Sequence, residues 1–227
     1  MATLNDLKTA IDALLQLSAT GRLLQLNSNT GERAYEAYVL ALCGQAVRNL
    51  GGQATLTGIK SGPNPAVCVF RGGPGSMASR NQDFCFVDCS LRSKRFEVHA
   101  DVEYVGQSGA SHEIDVSFYD AQRARDVRFS KSSPRTNHNL LVAIECKFYE
   151  STPGVALART FVGLISDCST NQLDAFVSNK TSRDLDRFLS KKSAPEPFTD
   201  LTPLSSDTEQ RFVRFLEQRL KKWAAGR

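Results

Sequence analysis

The amino-acid sequence predicts an α/β fold with a central mixed β-sheet flanked by helices, and three observations carry that expectation. Helical periodicity appears near both ends, in "TLNDLKTAIDALLQL" and "SSDTEQRFVRFLEQRLKKWAAGR". From residue 83 to 148 the chain turns to extended runs of alternating character. After the last of them, "GVALARTFVGLISDC" reads as a helix and "LDAFVSN" as a short buried strand, which implies a crossover connection.

Size and composition narrow the class. A chain of 227 residues, 41% apolar and 23% charged, buries enough surface to offset chain entropy, and it is expected to form a single domain, 1–227. An N-terminal helix is expected in 1–30, and a linker plus C-terminal amphipathic helix in 181–227. A net charge of +4 is too mild to imply polyanion binding from the total alone. No apolar run approaches the roughly 18 residues of a membrane span, and the N-terminus lacks the features of a signal peptide, so a cytoplasmic location without membrane contact is expected. The six cysteines sit among apolar residues in periodic segments and read as buried free thiols.

In chain order, Leu4, Leu7, Ile11, Leu14 and Leu15 make one helical face with Thr3 as its cap. After a polar break, Tyr35, Tyr38, Val39, Leu42, Ala46 and Leu50 mark a second helix that Gly51 and Gly52 stop. "AVCVF" is a possible short strand between loops, and "RGGPGS" reads as loop because no GK[ST] follows it. "DFCFVDCSL" is a strand. "RFEVHADVEYV" is read as half-exposed, with Phe96, Val98, Ala100, Val102 and Tyr104 inward and Glu97, His99, Asp101 and Glu103 outward. "HEIDVSFYD" and "LLVAIECKFY" complete the strands, and Ser206 with Glu209 forms a capping box for the last helix, whose stripe is Phe212, Phe215, Leu216 and Leu220.

Chemistry enters where charge interrupts apolar strands. Residues two apart on a strand share a face, so Glu145 and Lys147 point together, and Asp115 lies opposite the row Ile114, Val116 and Phe118. If the two strands pair, Asp115 stands beside Glu145. Neighbouring carboxylates repel unless a cation intervenes, and Mg²⁺, with Mn²⁺ as substitute, accepts such oxygen donors. Lys147 would then orient water or stabilise charge on a phosphate. Glu32 and Glu36 share the flank of the second helix, either being able to reach such a site.

The series Gly31-x-x-x-Tyr35-Glu36 on a helix, Asp115 in a strand and Glu145-Cys-Lys147 in the next, followed by a helix and a strand, resembles the PD-(D/E)xK, or restriction-endonuclease-like, nuclease superfamily. The resemblance spans about 31–180 and implies a restriction-endonuclease-like core there and a Mg²⁺-dependent deoxyribonuclease. By it, Asp115 and Glu145 bind metal, Lys147 is the catalytic lysine and Glu36 the helix-borne metal-binding carboxylate. Ile114 stands where the motif's name has proline, and the distance from Asp115 to Glu145 implies an elongated hairpin or an insertion.

That insertion holds Arg123, Arg125, Arg128, Lys131 and Arg135 against Asp120 and Asp126, and is read as a flexible cationic loop that tracks DNA phosphates. The expected function is endonucleolytic cleavage of DNA in restriction, antiviral defence or repair, with a homodimer or a partner subunit that activates or targets the chain. The alternative is a noncatalytic nucleic-acid-binding or scaffold subunit on the same fold.

Overall fold

The structure, a computed structural model, describes residues 2–16, 23–26, 31–137, 139–168, 170, 173–193 and 195–226. The elements run α1 (Leu4–Leu14), β1 (Leu23–Leu26), α2 (Gly31–Asn49), β2 (Gln53–Gly58), β3 (Gly62–Pro63), β4 (Val67–Phe70), β5 (Cys85–Leu91), β6 (Lys94–Val105) and β7 (Ser111–Asp120). They continue with α3 (Ala121–Ser130), β8 (Leu140–Lys147), α4 (Val155–Cys168), β9 (Ala175–Ser178), α5 (Arg183–Leu189), β10 (Glu196–Thr199) and α6 (Ser206–Ala224).

Eight strands form one mixed sheet in the order β10-β9-β8-β7-β6-β5-β2-β3. β8, β9 and β10 are parallel and joined through α4 and α5, while β8 back to β2 pair antiparallel. β1 and β4 pair in a separate parallel ribbon, so part of the predicted polar break is a strand. Residues 181–199, expected as linker, supply α5 and β10 at the sheet's edge.

Apolar residues cover the sheet on both faces. One core gathers Tyr35, Tyr38 and Leu42 of α2 and Phe212, Leu216 and Leu220 of α6 over Phe96, Val98, Val116, Phe118 and Ile144. The other sets Ala124 and Val127 of α3 and Phe161 and Ile165 of α4 against Val102, Tyr104, Ile114 and Phe176. β6 is therefore buried on both sides: Glu97, His99 and Asp101 are at most 2% exposed rather than outward-facing. The predicted alternation also fails at Asp101, whose φ of 52° is left-handed; Phe96 to Ala100 serve the first core, but Val102 and Tyr104 serve the second. β7 follows its partner, with Ile114 in the second core and Val116 and Phe118 in the first.

Local signals explain most element ends. Thr3 and Asp6 make a reciprocal capping box for α1. The last helix differs from expectation: Ser205 is its N-cap, and Glu209 accepts a 2.5 Å bond from the Tyr38 hydroxyl instead of closing a box. All six cysteines are buried thiols outside any disulfide. No helix among the described residues is long and apolar enough to cross a membrane.

α2 is seated by close approach. A Cβ on Gly31 would stand 2.5 Å from the Phe148 ring, Tyr35 packs on that ring with centroids 5.4 Å apart, and the Tyr35 hydroxyl donates to the Leu201 carbonyl at 2.9 Å. Gly31→Val is expected to lower unfolding free energy by about 1–3 kcal/mol through overpacking, and adding Phe148→Ala should remove that clash penalty. Urea unfolding of the two single variants and the double variant measures this.

Candidate active site

The β6–β7 hairpin sets Val105 against Ser111, Val102 against Ile114 and Ala100 against Val116, which leaves Asp101 facing Asp115. On the next ladder Val116 pairs with Ile144, which brings Asp115 beside the Glu145–Lys147 segment. The Cys146 N–H donates to Asp115 Oδ2 at 2.7 Å. The Lys147 ammonium lies 3.2 Å from the same oxygen and 2.7 Å from Glu145 Oε1. Behind Lys147, the Asn179 side-chain amide accepts from the Tyr149 N–H and donates to the Tyr149 carbonyl, and the Asn179 N–H donates to the Lys147 carbonyl, which fixes the end of β8.

From the first core side, α2 brings Glu36 to the pair. Glu36, Asp101 and Asp115 each offer a carboxylate oxygen, and these atoms lie within 4.8 Å of one another. Glu32 is exposed, so of the two helix glutamates only Glu36 reaches the cluster. Glu145 is turned to Lys147 and is not one of this trio. Arg33 Nη1 is 3.9 Å from Asp101 Oδ2, which has no hydrogen-bond partner although it is buried.

Charge in this place works against solvation. Burial, then the charges of Asp101 and Asp115, push Glu36 up to about 10. Burial and Asp115 push Asp101 up to about 7, and the same two causes take Glu145 to about 7. Burial opposes the Lys147 charge, but Asp115 and Glu145 outweigh it and hold the ammonium above its ordinary range. Four carboxyl groups, with Glu113 adding to their field, thus face Lys147, Arg33 and, at longer range, Arg71, and the cluster is short of positive charge. Hard oxygen donors in such a cluster suit a divalent cation.

No protein-family model, curated protein or solved structure matches this chain.

The cationic insertion is rearranged relative to expectation. Its first half is the helix α3 rather than a flexible loop, and Asp120 caps it by accepting from the Arg123 N–H at 2.9 Å. Arg128 is engaged, donating to both oxygens of buried Glu97 at 2.6 and 2.7 Å, and Glu97 also meets His99 Nε2 at 2.9 Å. Arg123, Arg125, Lys131 and Arg135 remain exposed. Trp223 packs edge-on against Phe96 with centroids 5.4 Å apart.

Asp101 and Arg33 are the members that sequence reasoning passes over. Strict alternation puts Asp101 outward, although it and Asp115 are equidistant from Ser108 in the turn "GQSGAS", and a symmetric hairpin pairs them.

Two stability measurements follow. Burial disfavours the Glu97 charge, but Arg128 and His99 more than offset it and hold the carboxyl down at about 2, against an ordinary 4.5. This depressed group contributes fully above pH 4.5, and its contribution is lost as pH falls toward 2. Arg128→Met leaves Glu97 buried with only His99 beside it and is expected to lower unfolding free energy by roughly 3–5 kcal/mol at neutral pH, with much of the loss recovered by adding Glu97→Gln. Asp101 has the opposite sign: raised from 3.8 to about 7, it destabilises progressively as pH rises through that window. Asp101→Asn keeps a residue type that tolerates left-handed backbone, and should stabilise the metal-free chain at pH 8 by on the order of 2–4 kcal/mol. Urea titrations at a series of pH values should show that gain vanishing below pH 4.

Proposed function

We propose that this chain is a metal-dependent endonuclease of the PD-(D/E)xK kind that hydrolyses DNA phosphodiester bonds in restriction, antiviral defence or repair. One observation carries the reading: Glu36, Asp101 and Asp115 converge within 4.8 Å while Lys147 stands 3.2 Å from Asp115. The helix glutamate, strand aspartate and Glu-x-Lys occur in the order the family resemblance implies, on a mixed sheet flanked by helices.

The donor set fits Mg²⁺ or Mn²⁺. The buried, unpartnered Asp101 Oδ2 and the raised Glu36 and Asp101 carboxyls mark a place where only a cation or a proton relieves repulsion. Glu36, Asp101 and Asp115 would hold the ion, with Glu145 beside them. When bound, the ion supplies Lewis acidity toward a phosphate oxygen and a lowered pKa for its water. Asp115 is held in register by the Cys146 N–H, so its free oxygen keeps a constant position. Lys147, flanked by two carboxylates, stays an ammonium; that suits it to donate to a non-bridging phosphate oxygen as charge grows there, rather than to take the proton from water. Hydrolysis adds water across one P–O bond. Cutting both strands needs two such sites, hence a homodimer or a larger complex.

The assay is supercoiled plasmid incubated with Mg²⁺ or Mn²⁺, and with EDTA. Wild type is expected to nick or linearise it only with metal, and Asp115→Ala, Lys147→Ala to do so at least about 10²-fold more slowly. A wild-type chain that neither cuts nor binds Mg²⁺ in calorimetry, even beside its partners, would overturn the proposal.

A further inference from the structure

The stretch "RGGPGS", Arg71 to Ser76, has no part in the chemistry above, yet it lies against the site. β5 accompanies β6 only as far as Val98. Beyond it the glycine loop takes over: the Gly75 N–H donates to the Asp101 carbonyl at 3.1 Å, and the Glu103 N–H donates to the Gly75 carbonyl at 3.1 Å. Glycine is needed for this. Gly73 has a φ of 149°, and a Cβ at Gly75 would meet Arg71 Cδ at 3.3 Å.

Two guanidinium groups flank the loop, and among the described residues neither has a full set of hydrogen bonds; Arg71 lies over the Phe84 ring, 4.8 Å from its centroid. A Cβ at Gly73 would stand 3.6 Å from Arg33 Nη2. Among the described residues Arg33 makes one ion pair, at 3.9 Å with Asp101, and its Nε is buried without a hydrogen bond. Arg71 is 5% exposed and has no carboxylate within ion-pair distance among the described residues. Its Nη1 reaches the Ala100 carbonyl and its Nη2 the Ser76 carbonyl, each at 3.4 Å, and its Nε has no partner. A guanidinium taken out of water wants a bidentate anion. Arg71 also lines an open groove of about 460 Å³ walled by Ser76, Ser79, Asn81 and Phe84. That volume is on the scale of a small ligand, such as a nucleotide, and far below that of a duplex.

We infer that Arg33, Arg71 and the glycine loop between them form a phosphate subsite that takes a backbone phosphate next to the cleaved bond, with the groove beyond carrying the same strand unpaired. The inference rests on the nuclease reading. It assigns "RGGPGS" a role without the helix that a nucleotide-binding phosphate loop requires: close backbone approach between two arginines.

The test uses the Lys147→Ala chain with Mg²⁺ and a fluorescein-labelled single-stranded oligonucleotide, with anisotropy followed between about 50 and 200 mM salt. Arg33→Ala is expected to weaken binding about tenfold and to reduce the logarithmic salt slope by about 1. Arg33→Lys should restore the slope but not the full affinity, because it lacks the planar fork. Asn81→Asp, a near-isosteric change on the exposed groove wall, should weaken binding without altering the thermal midpoint. Unchanged binding in both Arg33→Ala and Asn81→Asp, with a wild-type chain that cuts plasmid, overturns the subsite and leaves the nuclease standing. No binding by the parent and no cutting by wild type overturns both. A loss of Mg²⁺ affinity in Arg33→Ala that matches the loss of oligonucleotide would make Arg33 a prop for Asp101, and the subsite would fall.

Discussion

Asp101 and Asp115 face each other on adjacent strands at 2% and 8% exposure, and two carboxylates in that position repel with little water between them. The surrounding architecture limits that repulsion without removing it. The Cys146 N–H and the Lys147 ammonium engage one oxygen of Asp115, Arg33 stands off Asp101, and Glu36 adds a third acid from above. Stability alone would favour apolar residues here, because a buried charge cluster contributes less than well-packed side chains of the same volume.

The left-handed residue in β6 is what allows the acids to sit between two cores. A regular strand would hold Val102 and Tyr104 under α2 with Phe96 and Val98; the turn at Asp101 hands them to the α4 side instead. Backbone of this kind is tolerated by aspartate more readily than by branched or bulky residues, and it places strain where the carboxylates meet. Gly75 completes the arrangement by pairing with β6 on either side of the kink.

Much of this was legible in the sequence where local physics decides. The α1 cap, the stripe of α6 and the parallel crossover through α4 follow from periodicity, turn residues and capping chemistry. Asp115, Glu145 and Lys147 stood out because charge in an apolar strand is costly. What escaped depends on tertiary context. Glu97 and His99 looked solvent-facing because alternation says which residues share a face, not whether a helix covers it; Arg128 of α3 supplies that cover. Asp101 escaped for a related reason, since a single left-handed residue shifts the phase of everything after it. In α6, the spacing of Ser206 and Glu209 predicts a box within one helix, whereas Glu209 serves a tyrosine of α2.

That last bond has a consequence for the order in which the molecule is made. Tyr38 and Glu209 are separated by 171 residues, and Tyr35 reaches a carbonyl 166 residues ahead of it. The helix that presents Glu36 leaves the ribosome early and has α1 and the first strands to pack on, but the patch that α6 covers stays open until almost all the remaining chain has been synthesised. Topology thus makes the full seating of α2 a late event: a chain broken off before residue 201 lacks both contacts, to the Leu201 carbonyl and to Glu209, that anchor this helix from the far end of the sequence.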